Sequence, residues 1–286
     1  MKIIGVLAHP LREPSFSIAQ QIHNTLQERG LESWVFTRWE AEEVTEHVSR
    51  SDLVIAIGGD GAMLRAARVC APYNVPVLGI NMGQLGFLTE IPDPDNWEPR
   101  LDAVLRGEYW IESRTMIRGT IERGDEVLLG GDALNDIVIS GSTVGRTIQL
   151  ETYIDNDWTT TYYADALVIA TATGSTAYAL ACGGPILPPE LSNILIVPAA
   201  PHLSMSRPIV LSEGAKVDVT PSAVNQRPVL LIADGMVVGE VSAGDRVCIR
   251  VSDHISRFIR LRERNYFYRS LLDRLEPRVQ RDEKYK

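Results

Sequence analysis

The chain has 286 residues, of which 45% are hydrophobic and 23% charged; this is typical of a globular protein with a large core in one or two domains. Its formal net charge of −9 argues against a nucleic-acid partner, which would need a basic face. No apolar stretch approaches the roughly 20 residues that span a bilayer, and the start lacks a signal peptide's apolar centre, so we expect no membrane partner.

Strand and helix signals alternate over the first hundred residues. A short apolar run at residues 3–7 precedes Ile18, Ile22 and Leu26, which fall at helical spacing before a capping Gly30. Further strands are predicted at residues 31–37, 53–57 and 75–80, and a further helix at residues 62–70. This order predicts a parallel, Rossmann-like sheet covered by helices.

The second part of the chain has the pattern of an all-β domain. Short β-rich runs are separated by turn clusters such as Asp155-Asn156-Asp157 and Asp234-Gly235. The runs are residues 111–121, 133–139, 148–154, 167–172, 194–197, 216–220, 229–232 and 246–251. Phe267, Leu271 and Leu275 then mark an amphipathic helix, and the charged tail from residue 276 is expected to fray.

We predict two domains from these patterns. The first is an α/β domain over residues 1–100, and the second is a β-rich domain over residues 101–264. Residues 93–100, with two prolines and four charges, are the predicted linker.

The first candidate site is Gly58-Gly59-Asp60-Gly61, between a buried strand and a helix. In an open α/β sheet, ligands bind beyond the carboxyl ends of the strands. Glycines let the backbone turn sharply close to a phosphate, and the free N–H groups of the helix can face an anion. Asp60 would place a carboxylate there, able to accept a proton or to help hold a metal ion. The alternative is a simple Asp-Gly turn.

Two further segments carry polar groups suited to a nucleotide. Residues 173–178, Thr-Gly-Ser-Thr-Ala-Tyr, follow a predicted strand, and Tyr178 could pack on an adenine or a ribose. Asn135 and Asp136 offer the donors and acceptors that ribose hydroxyls need, and Asp165 is another acidic candidate. Taken alone, the first segment could be an ordinary loop and the Asn-Asp pair a hairpin end.

Several common nucleotide-binding motifs are missing from the sequence. It has no Gly-Lys-Ser/Thr of a Walker A loop and no protein-kinase glycine loop. The GxGxxG fingerprint of hydride-transfer enzymes is absent as well. The three cysteines, Cys70, Cys182 and Cys248, are too scattered for a disulfide framework or a zinc site. They are read as core residues in a reducing cytoplasm.

Six motifs, in this order and at these spacings, resemble those of the NAD kinase family. They are GGDGAMLRAA, NMGQLGFLTE, ALNDIVIS, ATGSTAYALACGGP, PAAPHLSMSRPIVL and a late ADG. The resemblance runs from about residue 50 to about residue 270. It implies an α/β first half, a β-sandwich-like second half that binds NAD, and a last helix, at about residues 265–280, that returns to the first domain.

The resemblance also implies an activity, which is transfer of the γ-phosphoryl group of ATP to the adenosine-ribose 2′-hydroxyl of NAD. A divalent cation, most simply Mg²⁺, would assist at the phosphates, and the enzyme would form a homodimer or homotetramer. Two alternatives stay open. One is a lipid or sugar kinase with a similar glycine loop, and the other is a module that senses NADP without turnover.

The resemblance implies a role for each matching residue. Asp60 resembles the general base, with Gly58, Gly59 and Gly61 around it, and Arg65 is a plausible phosphate cation. The residues that match substrate contacts of the family are Asn135, Asp136, Arg146, Tyr163, Asp165, Thr176, Ala177, Tyr178 and Ala181.

The chain departs from the family pattern at four places. Asp136 replaces a glutamate and is one methylene shorter, and Ala172 stands where a proline is common. Ala164 and Ala166 flank Asp165 in place of glycines, and Ala181-Cys182 replaces a Ser-Ala pair. We therefore expect a longer or water-mediated ribose contact at Asp136 and no hydroxyl contact at Ala181.

Overall fold

The computed structural model describes residues 1–39, 42–83, 86–143, 146–225 and 227–275. The chain divides into two compact units. The first is Met1–Ser113 with Arg257–Lys286, and the second is Arg114–Ser256. Within the described ranges, no helix is long and apolar enough to cross a bilayer. The predicted domain limits at residues 100 and 264 stay a prediction.

A parallel sheet forms the centre of the first unit. Its strands are β1 (Ile3–Leu7), β2 (Glu32–Phe36), β3 (Leu53–Ile57) and β4 (Val77–Ile80), in the order β2-β1-β3-β4. All pairings among these four strands are parallel. Every residue of β3 is buried, as expected for a strand that helices cover on both faces. The predicted parallel α/β fold is therefore confirmed.

Six α-helices, α1 to α6, lie in the described residues. They are Glu13–Glu28, Glu42–Ser49, Asp60–Cys70, Glu98–Leu105, Tyr178–Ala181 and Tyr266–Leu275. Helix α1 buries Ala19, Ile22 and Leu26, which join strand residues such as Ile4 and Ile55 in one core cluster. All of these helices except α5 (Tyr178–Ala181) belong to the first unit.

The predicted linker at residues 93–100 is wrong. A short 3-10 helix occupies Pro94–Asn96, and α4 begins at Glu98 and buries Leu101 and Val104. The two prolines misled the prediction because each lies in the first turn of its helix. Proline is well tolerated there, since its missing N–H would have no partner within the helix.

The remaining strands, β5 to β16, build two sheets whose inner faces share one core. They are Trp110–Arg123, Glu126–Ala133, Asp136–Gly141, Ile148–Ile154, Asp157–Ala164, Ala166–Ala170, Ile194–Ala199, Ile209–Leu211, Val217–Pro221, Val229–Ala233, Met236–Val241 and Arg246–Arg260. One sheet of the second unit has the order β12-β11-β10-β7-β14-β15, and the other contains β16-β13-β8-β9 with β5 and β6. Residues of both sheets, such as Ile137, Ile169, Leu150 and Val247, form one cluster, so the predicted sandwich is confirmed.

Both predicted turn clusters are hairpin turns. Asp155 and Asn156 have φ of 51° and 73°, and Asp234 and Gly235 have φ of 45° and 78°, as a two-residue hairpin turn requires. They join β8 to β9 and β14 to β15. The prediction overlooked β9, which is largely exposed and lacks a run of apolar residues. It also overlooked β15, whose apolar residues Met236 and Val237 are exposed.

Candidate active site

The glycine loop, residues 58–61, joins β3 to α3 as predicted. A Cβ on Gly58 would lie 2.4 Å from the Cβ of Ala62, so the packing requires glycine there. A Cβ on Gly59 or Gly61 would meet nothing within 4 Å. The backbone of the loop therefore borders open space where α3 begins, which is where helix N–H groups can receive a phosphate.

The carboxylate of Asp60 is held by a loop that follows β4. The N–H of Phe87 donates to Oδ2 over 2.7 Å, and the N–H of Leu88 donates to Oδ1 over 2.9 Å. A Cβ on Gly86 would lie 2.0 Å from Oδ1 of Asp60, so the chain approaches the carboxylate as only glycine allows. Sequence reasoning missed this contact, although these residues belong to the quoted motif NMGQLGFLTE.

Two arginines, Arg12 and Arg65, place positive charge near the glycine loop. Arg65 is exposed on α3, as a phosphate cation would need to be. A Cβ on Gly58 would lie 3.5 Å from His9 Cδ2, so His9 borders the loop. Burial and then the charges of Arg12 and Arg65 lower the pKa of His9. The guanidinium of Arg12 also donates to the carbonyl of Met82.

In the second unit, Asp234 holds the turn that presents Asn135 and Asp136. Its carboxylate accepts the backbone N–H groups of Leu134 and Asn135 over 2.8 Å and that of Asp136 over 3.2 Å. The N–H of Asp234 donates in return to the carbonyl of Asp136 over 3.0 Å. Strand β6 ends at Ala133, before this turn, and β7 begins at Asp136. The prediction of one continuous strand over residues 133–139 was therefore wrong.

The Gly-Ser-Thr segment packs against the same turn. A Cβ on Gly174 would lie 2.0 Å from the carbonyl oxygen of Asn135. The N–H of Thr171 donates to that oxygen over 2.9 Å, and the hydroxyl of Thr171 donates to the carbonyl of Leu134 over 2.5 Å. Two motifs that lie far apart in the sequence, at residues 134–136 and 171–174, therefore pack against each other.

The hydroxyl of Ser175 does not face a ligand. Ser175 is fully buried, and its hydroxyl donates to the carbonyl of Ala172 over 2.7 Å and accepts the N–H of Leu187 over 2.9 Å. Thr176 is half-buried, and its hydroxyl donates to the carbonyl of Thr173 over 3.2 Å. These hydroxyls stabilise the fold of the segment.

Five of the predicted contact residues share one region. Burial and then the charges of Cys182, Asp165 and Asp136 raise the pKa of Tyr178, so these groups lie close enough to interact. Tyr178 is 44% exposed, and Asp165 is exposed beside it, as an acidic contact must be. Ala177, next to Tyr178, is half-buried, and Ala181 is exposed on α5.

The two remaining candidates lie on other parts of the second unit. Arg146 lines a cavity of about 240 Å³, which Gly141, Asn225 and Arg227 also line. The backbone of Tyr163 accepts the N–H of His202 and donates to the Ser204 hydroxyl. The structure thus places Asp136, Asp165 and Tyr178 near enough for their charges to interact, with Asn135 beside Asp136 in the turn. The roles of all candidates stay predictions.

Asp136 is an unusual carboxyl group. It is only 6% exposed, and burial together with the nearby charge of Asp234 raises its pKa to about 7. Burial disfavours the charged form of a carboxyl group, and a like charge adds to that effect. Asp136 is therefore about half ionised near neutral pH.

The pKa of Asp136 predicts a change of stability with pH. The unfolded chain ionises this group near pH 4 and the folded chain near pH 7, so its contribution should fall as the pH rises between these values. The loss is at most about 4 kcal/mol, at about 1.4 kcal/mol per pH unit. Asp136→Asn should therefore stabilise the protein at pH 8 relative to the parent, and much less at pH 4.5, as measured by urea unfolding.

The same substitution at exposed Asp165 is the matched control for this prediction. Asp165→Asn removes a carboxyl group of the same region without removing a buried one. If Asp136→Asn left the difference in stability between pH 4.5 and pH 8 unchanged from the parent, the raised pKa of Asp136 would be contradicted.

Comparison with known proteins assigns the chain to a family. The model of the ATP-NAD kinase N-terminal domain matches residues 4–109, and that of the ATP-NAD kinase C-terminal domain matches residues 134–261. An NAD kinase of Chloroflexus aurantiacus is 39% identical over 272 residues, which cover 95% of this chain and 98% of that protein. The chain belongs to the NAD kinase family. The predicted membership is confirmed, and the lipid-kinase, sugar-kinase and sensor alternatives find no support.

Further NAD kinases agree with this assignment. One from Geotalea daltonii is 36% identical over 279 residues, covering 93% of this chain and 96% of that protein. A crystal structure of yeast NADH kinase with NADH has a TM-score of 0.84 at 21% identity, covering 100% of this chain and 90% of that one. An NAD kinase of Archaeoglobus fulgidus in complex with ATP has a TM-score of 0.74 at 24% identity, covering 96% and 98%. Both structures confirm the fold.

Proposed function

We propose that the chain transfers the γ-phosphoryl group of ATP to the adenosine-ribose 2′-hydroxyl of NAD, giving NADP and ADP. The observation that carries this proposal is Asp60, a carboxylate at the start of α3 that two backbone N–H groups orient beside a glycine loop. The yeast relative binds NADH and the archaeal relative binds ATP in their structures. Both ligand classes are those that the proposed reaction requires.

Asp60 acts as the general base in this proposal. The 2′-oxygen attacks the γ-phosphorus, its proton passes to the Asp60 carboxylate, and the bond from the γ-phosphorus to ADP breaks. Each oxygen of Asp60 accepts one N–H bond and keeps a further lone pair for the incoming proton. General-base assistance of this kind contributes typically about 10²–10⁴-fold.

Residues of the glycine loop and its neighbours bind the phosphates of ATP. The open space at Gly59 and Gly61 admits a phosphate close to the backbone, and Arg65 supplies a positive charge. Phosphoryl transfer depends on positioning and charge neutralisation more than on covalent chemistry. The loop therefore contributes by fixing the γ-phosphorus in line with the attacking oxygen.

The residues around Asn135 bind NAD. Asn135 and Asp136 form hydrogen bonds with ribose hydroxyls. The other contacts with NAD are proposed for Asp165, for Tyr178 and for the nearby residues Thr176, Ala177 and Ala181. Arg146 and Tyr163 contribute further substrate contacts. The support is the packing of the Asn135 turn against the Gly-Ser-Thr segment, which the contacts of Gly174 and Thr171 define.

The residues near the glycine loop fit a divalent cation held mainly by substrate. Mg²⁺ is usually bound by one or two carboxylates together with phosphate oxygens and water. Asp60 can supply one ligand, because its two N–H bonds leave lone pairs free. Among the described residues, no group of three or more acidic, histidine or cysteine side chains could hold such an ion without substrate. When bound with ATP, Mg²⁺ would neutralise charge on the phosphates.

We also propose that the chain is cytoplasmic and forms a homodimer or a homotetramer. We further propose the division into domains at residues 1–100 and 101–264, with a last helix that returns to the first domain. The support for the assembly is the family resemblance. Light scattering of the purified full chain would measure the number of subunits.

An NAD analogue that lacks the adenosine 2′-hydroxyl tests the proposed reaction. It should bind, since most contacts survive, with a loss of about 1–3 kcal/mol for one buried partner. Turnover should vanish because the nucleophile is gone. Phosphorus NMR of the product made from NAD should show a monoester on the adenosine 2′-oxygen. Phosphorylation of the analogue, or a phosphate on another oxygen, would contradict the proposal.

A further inference from the structure

Arg260 is a fully buried cation at the end of β16, in the first unit. Two buried carboxylates surround it. Its Nε donates to Oε2 of Glu112 over 2.8 Å, and Nη2 also lies 2.8 Å from that oxygen. Its Nη1 lies 3.4 Å from Oε2 of Glu90. A buried charge is tolerated when it is paired and hydrogen-bonded. Arg260 is paired with both carboxylates and hydrogen-bonded through Nε and Nη1, whereas Nη2 lies close to Glu112 without a well-directed hydrogen bond.

Two aromatic rings lie near the guanidinium as well. Its central carbon lies 5.2 Å from the ring centre of Phe258 and 5.3 Å from that of Tyr266. The Tyr266 hydroxyl donates to Glu112 at 3.0 Å. Burial alone would lower the pKa of Arg260, but Tyr266, Glu112 and Glu90 raise it above its usual value. Arg260 is therefore a charged group that is held by contacts on several sides.

One hydrogen bond of Arg260 is directed away from these carboxylates. Nη1 donates to the carbonyl oxygen of Leu88 over 2.7 Å. The N–H of the same residue, Leu88, donates to Oδ1 of Asp60 over 2.9 Å. The carbonyl and the N–H of one residue thus link the buried cation to the proposed general base.

Glu90 anchors the same segment from its other end. Its Oε1 accepts the backbone N–H groups of Leu261 and Arg262 over 2.8 and 2.9 Å. Leu88 is therefore held to the end of β16 by its own carbonyl and, two residues later, by the Glu90 side chain. The segment cannot shift relative to Arg260 without breaking buried polar contacts, each costly to leave unmade.

We propose that Arg260 is a positioning residue for phosphoryl transfer: by fixing Leu88, it fixes the N–H group that orients the Asp60 carboxylate. This inference rests on the proposed role of Asp60 as the general base. Arg260 acts through Leu88 and touches no substrate. A misplacement of about 1 Å at a reacting group can cost about 10²-fold in rate, so a remote buried residue can control turnover in this way.

Arg260→Lys is the variant that separates positioning from charge. Lysine keeps the positive charge between Glu90 and Glu112, but it lacks the planar fork that reaches Leu88 and Glu112 together. We expect kcat to fall by about 10- to 100-fold, with KM for NAD and for ATP changed by less than about threefold. Arg29→Lys is the matched control. It makes the same change at another arginine of the first unit, one that pairs with Glu98 and Asp102 of α4, so its kcat should stay within about twofold.

A double-mutant cycle with Asp60→Asn supplies the deciding measurement. If Arg260 acts through Asp60, the loss caused by Arg260→Lys should shrink to less than about twofold in the Asp60→Asn background. A general structural role would lower kcat by the same factor in both backgrounds and overturn the inference. If Asp60→Asn alone left kcat unchanged, the proposed role of Asp60 would fail instead, so the two failures can be told apart.

Glu112→Gln provides the same cycle if Arg260→Lys does not fold. It keeps the shape of the side chain and weakens the pairing that orients Nε and Nη2 of Arg260. We expect a kcat loss of about three- to tenfold that also disappears in the Asp60→Asn background. A loss that persists there, or no loss at all, would overturn the inference.

Discussion

Asp60→Asn should lower kcat by about 10²-fold or more while leaving much of the NAD affinity in place. Asparagine has nearly the same shape, but its amide cannot accept a proton from the ribose hydroxyl. If Asp60 is the base, the loss appears in kcat because proton transfer belongs to the transition state. Initial rates over a matrix of NAD and ATP concentrations would measure kcat and both KM values.

The structure adds a second consequence of the same change. The Asp60 carboxylate accepts two N–H bonds, from Phe87 and Leu88, whereas asparagine has a single side-chain oxygen. One N–H group would lose its partner, which costs about 1–3 kcal/mol if it stays buried. Urea unfolding should therefore show that Asp60→Asn is folded and modestly less stable than the parent.

Asp93→Asn is the matched control for Asp60→Asn. Asp93 is an exposed acid of the same unit whose side chain also accepts a backbone N–H, that of Asp95, over 3.0 Å. This variant should turn over like the parent. A kcat of Asp60→Asn that equalled that of Asp93→Asn, with a raised KM instead, would mean that Asp60 binds substrate and is not the base.

Local patterns were enough to predict where the glycine loop lies. A buried strand, three glycines and a run of helix formers are adjacent in the sequence, so the strand, loop and helix at residues 53–70 could be derived from neighbours alone. The same holds for the hairpin turn at Asp234-Gly235, whose residue types favour a positive φ. The hydrogen bonds from the backbone of residues 134–136 to the Asp234 carboxylate could not be derived, because they join positions about 100 residues apart.

The groups that orient Asp60 left a weak signal in the sequence. Backbone N–H groups do not depend on residue type, so the sequence could not show that Phe87 and Leu88 donate to Asp60. Gly86 was the one indication that the chain approaches this carboxylate closely. Arg260, Glu90 and Glu112 were missed for a different reason. Charged residues are rarely fully buried unless they are paired, and their pairing depends on the tertiary fold of strands distant in sequence.

Gly86→Ala should reduce both stability and turnover through a direct clash with Asp60. A Cβ at this position would lie 2.0, 2.3 and 2.6 Å from Oδ1, Cγ and Oδ2 of Asp60. The carboxylate would have to leave, which strands the N–H groups of Phe87 and Leu88 at about 1–3 kcal/mol each. We expect an unfolding free energy lower by about 2–4 kcal/mol and, since Asp60 is displaced, a kcat lower by about 10²-fold.

Removing the Asp60 carboxylate should remove much of the clash, so a double mutant can test the prediction. In an Asp60→Ala background the new Cβ has no carboxylate to meet, so Gly86→Ala should cost less than about 1 kcal/mol of stability there. Gly61→Ala serves as the stability control, because its Cβ would meet nothing within 4 Å and alanine favours a helix. If Gly86→Ala cost the same stability with and without the Asp60 carboxylate, the close approach between the two residues would be contradicted.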